Sequence, residues 1–375
     1  MSRFPQLEEA SPLAAWTVAP AGHTRRPDEL RLRSINSNGP REYLMRIAVV
    51  WNDDDTGVIN RFGQPCPEVY GRETIESVAA ALQLGGHETL LCEGDKRMLA
   101  TLERFMPPES QGNPSGFVFN MAYGIQGECR LTHVPAMLEM AGIPYTGSSP
   151  LGHGVALDKI VTKRLIGDRG VPTPNFRVMR RGTESTGDLR FPMVVKPRHE
   201  SDSCGVQLVH DSAQLRQAVE VIVMQFAQDA LVEEYIEGRE IWVALLGNRE
   251  LEVLPLVEQD FGDRETRLVT WEAKHMALAA PPKICPAQIG SKLATMLRDI
   301  SVATFGACQC RDYARVDFRI DRCGQPFVLE INTMPGLGVT SAYASAATTA
   351  GYSSSSLINR ILDVAHTRYF GIGIR

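Results

Sequence analysis

Two short strand-like segments in the last quarter of the chain carry polar side chains at alternating positions. The first contains Arg315 and Asp317, the second contains Glu330 and Asn332, and a turn at residues 323–324 lies between them. Because strand side chains alternate with a period of two, a two-residue hairpin loop would pair Asp317 with Glu330. Arg315 would then lie opposite Asn332 on the same face. The sequence therefore predicts that two carboxylates and an amide converge.

Converging carboxylates predict a bound divalent cation. Directly opposed carboxylates repel each other, so such a sheet face is stable mainly when a cation lies between them or one group is protonated. Oxygen ligands from two carboxylates and an amide suit Mg²⁺, which keeps its other positions for water and substrate phosphates. We therefore interpret Asp317, Glu330 and Asn332 as metal ligands and expect nucleotide chemistry. The alternative is a solvated hairpin face with an ordinary pair between Arg315 and Asp317.

The composition restricts the class of protein that carries this site. The 375 residues are 43% hydrophobic and 22% charged, which suits two or three packed domains. A net charge of -5, a pI near 6.0 and the absence of a long basic block argue against a dedicated nucleic-acid or anionic-membrane binder. The sequence shows no membrane-spanning apolar run and no signal peptide. We expect a cytoplasmic protein that acts on small molecules.

The first half of the chain predicts an extension followed by a parallel α/β domain. Residues 1–43 are polar, proline-rich and without periodic hydrophobicity, which is typical of a flexible extension. From residue 45 a strand (45–51), a helix (73–84) and a second strand (88–92) follow in order, which indicates a parallel sheet in a domain that ends at residue 157. The other predicted elements there are a strand at 116–120, a helix at 133–141 and a short strand at 143–147.

The second half predicts two further domains. Residues 158–235 alternate short strands with a helix at 212–226 and read as an α+β domain. Residues 236–375 contain the hairpin described above, preceded by a helix at about 286–305 and followed by a helix near 357–369. The predicted fold class is therefore a combination of α/β and α+β.

Six short motifs occur in order along these domains. They are ALDKIVTK (156–163), VVKP (194–197), LVEEYIEGRE (231–240), EAK (272–274), ARVDF (314–318) and EINTMPG (330–336). Each motif is weak alone, but their order and spacing are specific. Over residues 45–370 the chain resembles the ATP-grasp superfamily and, within it, the D-alanine:D-alanine ligase family. The resemblance implies a three-domain ATP-grasp fold, with the nucleotide between the central and the carboxyl-terminal domains.

The resemblance also implies an activity and its cofactors. Such a ligase joins two amino-acid-like substrates by an amide bond through an acyl phosphate, and it uses ATP with two Mg²⁺ ions, or Mn²⁺, and releases ADP and phosphate. A homodimer is a further family expectation. The alternatives are a nucleotide-binding relative without turnover and an ester-forming ligase of the D-alanine:D-lactate type. A dinucleotide-dependent dehydrogenase is disfavoured, because G-x-G-x-x-G does not follow the first strand.

The family's phosphate-binding residues match three lysines and a loop. The resemblance implies that Lys159 and Lys196 bind the α- and β-phosphates and that Lys274 neutralises the γ-phosphate and takes part in catalysis. Ser203 lies in the loop 200–205, which would cover the terminal phosphates with its backbone N–H groups. Without the surrounding motifs, solvated surface lysines would be the simpler interpretation.

Four residues match the family's nucleoside site. Glu233 and Glu240 correspond to carboxylates that bind the adenine amino group and the ribose hydroxyls. Ile236 and Leu329 correspond to apolar walls on which the base rests. Apolar residues at such places are more often ordinary core, so that alternative stays open for these two.

The family's acceptor site has matching residues, and its donor site does not. Arg315 would stabilise the oxyanion of the tetrahedral intermediate, and Ser341 would help to hold the carboxylate of the attacking amino acid. For the glutamate that orients the donor ammonium, Glu68 is the first choice and Glu73 the second.

The donor site differs at three further positions. The family has histidine, serine and tyrosine where this chain has Tyr123, Asp202 and His275. Asp202 could pair with the ammonium group of the donor. His275 could instead influence the choice of nucleophile with pH, or have no function. These differences predict a donor other than D-alanine.

Overall fold

The chain is organised around three β-sheets in the part that the structure describes. This computed structural model describes residues 44–374 except 54–56, 62–64, 67, 110–113, 265–266, 269–270, 272–280 and 372. The predicted extension at 1–43 and two predicted site residues, Lys274 and His275, lie outside the described residues. The mixed α/β and α+β class is confirmed.

The first sheet is parallel and has the strand order β2-β1-β3. Its central strand β1 is buried on both faces: Ile47 and Val49 contribute to one core, and Ala48 and Val50 to the core on the opposite face. The predicted strand at 143–147 is wrong, because only an isolated bridge forms there, between Val118 and Tyr145. The elements are β1 (Arg46–Trp51), α1 (Arg72–Leu84), β2 (Glu88–Glu93), α2 (Met98–Phe105), β3 (Gly116–Asn120) and α3 (His133–Ala141).

The second sheet is antiparallel and has the strand order β4-β7-β5-β6. One face packs on helix α6, whose first turn is capped by the Asp211 carboxylate. Asp158 caps α5 in the same way and thereby places Lys159 at the first helical position. The elements are α4 (Pro150–Leu157), α5 (Lys159–Gly167), β4 (Phe176–Met179), β5 (Met193–Pro197), β6 (Gln207–Val209), α6 (Ser212–Phe226) and β7 (Ala230–Glu234).

The third sheet has the strand order β11-β10-β8-β12-β13, and β9 pairs with β8. One face packs on α7, while residues of α8 and α9 share a core with the first sheet. The elements are β8 (Gly238–Gly247), β9 (Leu251–Val253), β10 (Val257–Gln259), β11 (Lys283–Ile284), α7 (Ser291–Ala307), β12 (Tyr313–Asp321), β13 (Pro326–Asn332), α8 (Ala342–Thr349) and α9 (Ser354–Phe370). Among the described residues, no helix is long and apolar enough to cross a membrane.

The hairpin of β12 and β13 has the pairing predicted at its functional end. Arg315 lies opposite Asn332, and Asp317 lies opposite Glu330. All four residues therefore belong to one end of the hairpin, and β8 pairs with the other edge of β12.

The loop of this hairpin is one residue longer than predicted. Asp321 pairs with Gln325 across residues 322–324, and Gly324 has the left-handed backbone conformation that such a three-residue loop requires. The added residue would shift the register, but a β-bulge at Leu329 shifts it back before the functional end is reached. Two deviations from the simple hairpin cancel, which is why the predicted pairing holds.

Candidate active site

A cleft of about 620 Å³ is bordered by the second and third sheets and by segments of the amino-terminal part. Every residue that the sequence analysis selected for the site and that the structure describes lines this cleft, except the second-choice Glu73, which is exposed on the first turn of α1. The lining residues concerned are Glu68, Tyr123, Lys159, Lys196, Asp202, Ser203, Glu233, Ile236, Glu240, Arg315, Asp317, Leu329, Glu330, Asn332 and Ser341.

The two opposed carboxylates each have a cationic partner. Asp317 accepts two hydrogen bonds of 2.7 Å from the Arg315 guanidinium. Glu330 lies 3.2 Å from the Lys159 ammonium. Burial opposes ionisation of Glu330, but Lys159 and Lys196 outweigh it and hold its pKa at about 2. Both predicted features are therefore present: the carboxylates converge, and Arg315 pairs with Asp317.

The donor set fits a hard divalent cation. Asp317, Glu330 and Asn332 supply oxygen atoms at one end of the hairpin, and the side-chain Oδ1 of Asn332 accepts a hydrogen bond from the Met334 backbone N–H at 2.9 Å. Such a mixed set of carboxylates and an amide is suited to Mg²⁺. Within the described residues, no group of three or more His, Cys, Asp or Glu side chains offers an alternative metal site.

Glu233 is a buried counter-ion for two lysines. Its carboxylate lies 2.5 Å from Lys196 and 2.8 Å from Lys163, and all three side chains are almost inaccessible. Burial lowers the pKa of Lys163 to about 8, although Glu233 acts in the opposite direction. An adenine amino group at Glu233 would have to share these oxygen atoms. Lys163 belongs to the ALDKIVTK motif, one helical turn after Lys159, but no role was predicted for it from the sequence.

The end of the cleft that contains Ile236 and Glu240 also contains a residue that was not predicted, Arg319. Its guanidinium lies 3.3 Å from the Glu240 carboxylate and donates to the Ile236 carbonyl at 3.0 Å. The ring of Tyr235 stacks beside it, with 5.3 Å between the guanidinium carbon and the ring centroid. Leu329 faces this region because it is the extra residue of the bulge. Arg319 therefore orients Glu240 and the segment around Ile236.

The loop 200–205 lies across the cleft. Lys159 donates a hydrogen bond to the Glu200 carbonyl, and the Ser201 hydroxyl donates to Glu68. Asp202 and Ser203 have φ values of 52° and 62°, a left-handed conformation that costs energy in residues with a Cβ atom. The neighbouring contacts must compensate for this cost to hold the loop in place.

Two stacked tyrosines form the wall beside Glu68. The rings of Tyr70 and Tyr123 have centroids 4.9 Å apart and an interplanar angle of 24°. Both hydroxyls donate to the Met334 carbonyl, at 3.3 Å and 3.0 Å. Burial raises the pKa of the Glu68 carboxyl, and it also raises the pKa of Tyr123. Tyr70 was missed, because its partner is distant in sequence.

The lining of the cleft also includes Ser341, Lys283 and Trp242. The Ser341 hydroxyl caps helix α8 by accepting the Ala344 amide N–H at 3.1 Å. Lys283 donates to the Thr340 carbonyl at 2.8 Å. The Arg315 guanidinium lies over the Trp242 ring at 5.7 Å. Lys283 and Trp242 were also missed by the sequence analysis.

Known proteins resemble this chain over most of its length. Residues 165–363 match the family described as D-ala D-ala ligase C-terminus. The chain is 70% identical over 335 residues to the uncharacterized protein y4sG of Sinorhizobium fredii, which covers 88% of this chain and 99% of that protein. It is 32% identical over 299 residues to the D-alanine–D-alanine ligase of Carboxydothermus hydrogenoformans, covering 77% of this chain and 91% of the relative.

A solved structure has a similar fold. The D-alanine–D-alanine ligase of Bacillus anthracis, in a crystal structure complexed with ATP, superposes with a TM-score of 0.66 at 23% sequence identity. The superposition covers 86% of this chain and 97% of that one. The protein therefore has the ATP-grasp fold and belongs to the D-alanine–D-alanine ligase family of ATP-dependent, ADP-forming ligases.

Proposed function

We propose that this protein uses ATP and Mg²⁺ to join the carboxylate of one amino-acid-like substrate to the amine of another, and that its donor is not D-alanine. The observation that carries the proposal is the convergence of Lys159, Lys196, Arg315 and the carboxylate pair of the hairpin in one cleft. We also propose the domain boundaries predicted from the sequence, at residues 157/158 and 235/236.

ATP would bind with its phosphates toward the lysines. Lys159 and Lys196 are held by Glu330 and Glu233, so both ammonium groups are oriented before the nucleotide arrives. Ser203 in the loop 200–205 would contribute to the cover, and Lys274 would meet the γ-phosphate. The base would rest between Ile236 and Leu329. Glu233 and Glu240 would bind the adenine amino group and the ribose hydroxyls.

Asp317, Glu330 and Asn332 would hold Mg²⁺. When bound, the metal neutralises phosphate charge as the γ-phosphoryl group is transferred. Arg315 and Lys159, which now pair with the two carboxylates, would remain beside them as the positive charges nearest to the reacting groups. The ion pairs therefore hold these carboxylates in place, and the adjacent lysines keep Glu330 ionised.

The proposed reaction has two steps. A carboxylate oxygen of the donor attacks the γ-phosphorus, the bond from that phosphorus to the β-γ bridging oxygen breaks, and an acyl phosphate and ADP form. The amine of the acceptor then attacks the acyl carbon, loses a proton and expels phosphate. Arg315 would stabilise the oxyanion of this second step and, with Ser341, hold the acceptor carboxylate.

The donor would bind between Glu68 and the loop 200–205. Glu68 and Asp202 both line this end, so an ammonium group there would meet two carboxyl groups rather than one. Tyr123 narrows the same end with a ring stacked on Tyr70. Tyr123 and Asp202 replace family residues of the donor subsite, and the resemblance implies the same for His275. These three differences support a different donor.

Phosphate release from purified protein with ATP, Mg²⁺ and a panel of D- and L-amino acids tests the proposal. We expect turnover with a pair that contains a donor other than D-alanine, and none when EDTA replaces Mg²⁺. Robust turnover with D-alanine alone would contradict the donor assignment. Nucleotide binding without turnover on any pair would favour the inactive relative, and product formation only with D-lactate as acceptor would favour an ester-forming ligase.

A further inference from the structure

A buried ion pair connects the amino-terminal part of the chain to the loop that crosses the cleft. The Arg130 guanidinium, in the turn before α3, lies 3.0 Å from the Glu200 carboxylate, in the loop after β5. Each side chain is only 3% exposed. Glu200 belongs to the loop and lines the cleft, whereas Arg130 is not among the lining residues.

Both partners have further contacts that fix their orientation. The second carboxylate oxygen of Glu200 accepts a hydrogen bond of 2.6 Å from the Gln228 amide. Arg130 also donates to the Cys66 sulfur at 3.1 Å. The ion pair is therefore one link in a network that spans the segment before Glu68, the turn before α3, and the second sheet.

The loop carries this link to two residues of the proposed reaction. Glu200 accepts a hydrogen bond from Lys159 through its backbone carbonyl, and the next residue, Ser201, donates to Glu68. The Glu200 side chain thus sets the position of a backbone segment that contacts a phosphate lysine and a donor-site carboxyl group. Asp202 and Ser203 follow directly in a strained conformation that needs such anchoring.

We propose that Arg130 is a positioning residue, which anchors the loop 200–205 through Glu200 and thereby places Lys159 and Glu68 relative to each other. Removing one member of a buried ion pair leaves an uncompensated charge, whereas removing both charges does not. The loop should therefore detach when Arg130 alone is neutralised, since the Glu200 carboxylate would turn toward water. The kinetic consequence rests on the proposed function, but the loop anchoring does not.

Hydrogen exchange of the full-length protein tests the anchoring. In Arg130→Met we expect amides of residues 200–206 to exchange about tenfold faster or more, while those of β1 stay protected. The double variant Arg130→Met/Glu200→Gln should return most of this protection. The matched control is Arg368→Met, which breaks another buried pair, with Asp312 at 2.8 Å, away from the loop.

The exchange rates of these variants either support or overturn the proposal. Faster exchange in Arg130→Met but not in Arg368→Met supports the proposal, provided that the double variant recovers. Unchanged loop exchange in a folded Arg130→Met protein overturns it, as does equal acceleration in Arg368→Met. If Arg130→Met does not fold, Glu200→Gln, which keeps the shape and the Gln228 contact, is compared with the control under the same criteria.

A kinetic measurement separates this inference from the proposed function. With an amino-acid pair that gives turnover, Arg130→Met should raise the KM of the donor by about tenfold, while Arg368→Met changes it by less than about twofold. Absence of turnover by the wild-type protein would contradict the proposed function but leave the exchange test valid. An unchanged donor KM with unchanged exchange would contradict the anchoring alone.

Discussion

The two ends of the cleft are assembled over very different distances along the chain. At the metal end, Arg315, Asp317, Glu330 and Asn332 belong to one hairpin, and strand pairing alone brings them together. At the donor end, contacts join segments far apart: Ser201 bonds Glu68 across 133 positions, and the hydroxyl of Tyr123 bonds the Met334 carbonyl across 211. Local pairing is readable from sequence, whereas distant packing is not.

The difference also concerns the chemistry that each end tolerates. A cation at the proposed metal end would require ionised oxygen ligands, and adjacent cations keep Glu330 ionised. The donor end is a buried wall of aromatic rings beside Glu68, whose pKa is raised by burial. We infer that the metal end determines whether the reaction occurs and the donor end determines which substrate enters. Four experiments with variants test whether the two ends differ in this way.

The largest effect is expected at the metal end. Asp317→Asn and Glu330→Gln should each lower phosphate release by about a thousandfold or more, because they remove charge that the metal and phosphates require. The control is Asp321→Asn, at the end of β12 next to the hairpin loop. It should keep nearly full activity, since the Asn side-chain oxygen can still accept the backbone N–H groups of Cys323 and Gln325. Near-wild-type activity in Asp317→Asn would contradict the metal assignment.

The acid stability of the protein should depend on Glu330. Its folded pKa of about 2 lies below the unfolded value of 4.5, so it stabilises the fold above pH 4.5, and this stabilisation is lost as the pH falls toward 2. Urea denaturation should show that the free energy of unfolding falls between pH 7 and pH 2.5. The fall should be larger in the wild type than in Glu330→Gln, by an amount on the order of 2 kcal/mol. Glu88→Gln, at an exposed pair with Arg46, should behave like the wild type. Equal losses in both variants would exclude this role.

Substrate preference should respond at the donor end only. The triple variant Tyr123→His, Asp202→Ser and His275→Tyr restores the family residues. The kcat/KM for D-alanine divided by the kcat/KM for the preferred donor should rise by about tenfold. The KM for ATP should change by less than about twofold, because the phosphate lysines are not altered. Competition assays with D-alanine and the preferred donor provide the measurement. An unchanged preference would remove these three residues from the donor subsite.

The smallest effect concerns the hydroxyl of Tyr123. Tyr123→Phe keeps the ring stack on Tyr70 but removes the hydrogen bond to the Met334 carbonyl, so the free energy of unfolding should fall by about 1 kcal/mol. The control is Tyr352→Phe, whose hydroxyl bonds Glu252 at an exposed site and should contribute less. Denaturant unfolding distinguishes the two variants. A smaller loss in Tyr123→Phe than in Tyr352→Phe would show that the buried hydrogen bond contributes little.

The fold was predictable wherever hydrophobic periodicity and turn residues agreed. Strand 116–120 and helices 133–141 and 212–226 have the bounds expected from the sequence. Three helices, at Met98–Phe105, Pro150–Leu157 and Ala342–Thr349, were missed. They are only eight residues long, and helices of that length depend on tertiary packing for most of their stability.

The candidate site also contains residues that were predictable from the sequence and residues that were not. The motif residues could be selected from the sequence because each lies on a regular element or at its end. The residues that hold them in place are of two kinds: Lys163 lies in a motif but had no predicted role, and Arg319, Arg130 and Tyr70 belong to no motif. Each is identified only by its buried partner. Side chains of these types are usually solvent-exposed or ordinary core, so sequence alone gave no reason to select them.

The alternation that pairs Asp317 with Glu330 and the order of motifs that identifies the family could be read from the amino-acid sequence. Both follow from local backbone geometry and from spacing along the chain. The folded chain was needed to show that Glu233 neutralises two lysines, that Arg130 reaches Glu200, and that a bulge restores the hairpin register. These features escape a linear pattern because the energy of a buried charge or of a register shift depends on neighbours supplied by distant segments.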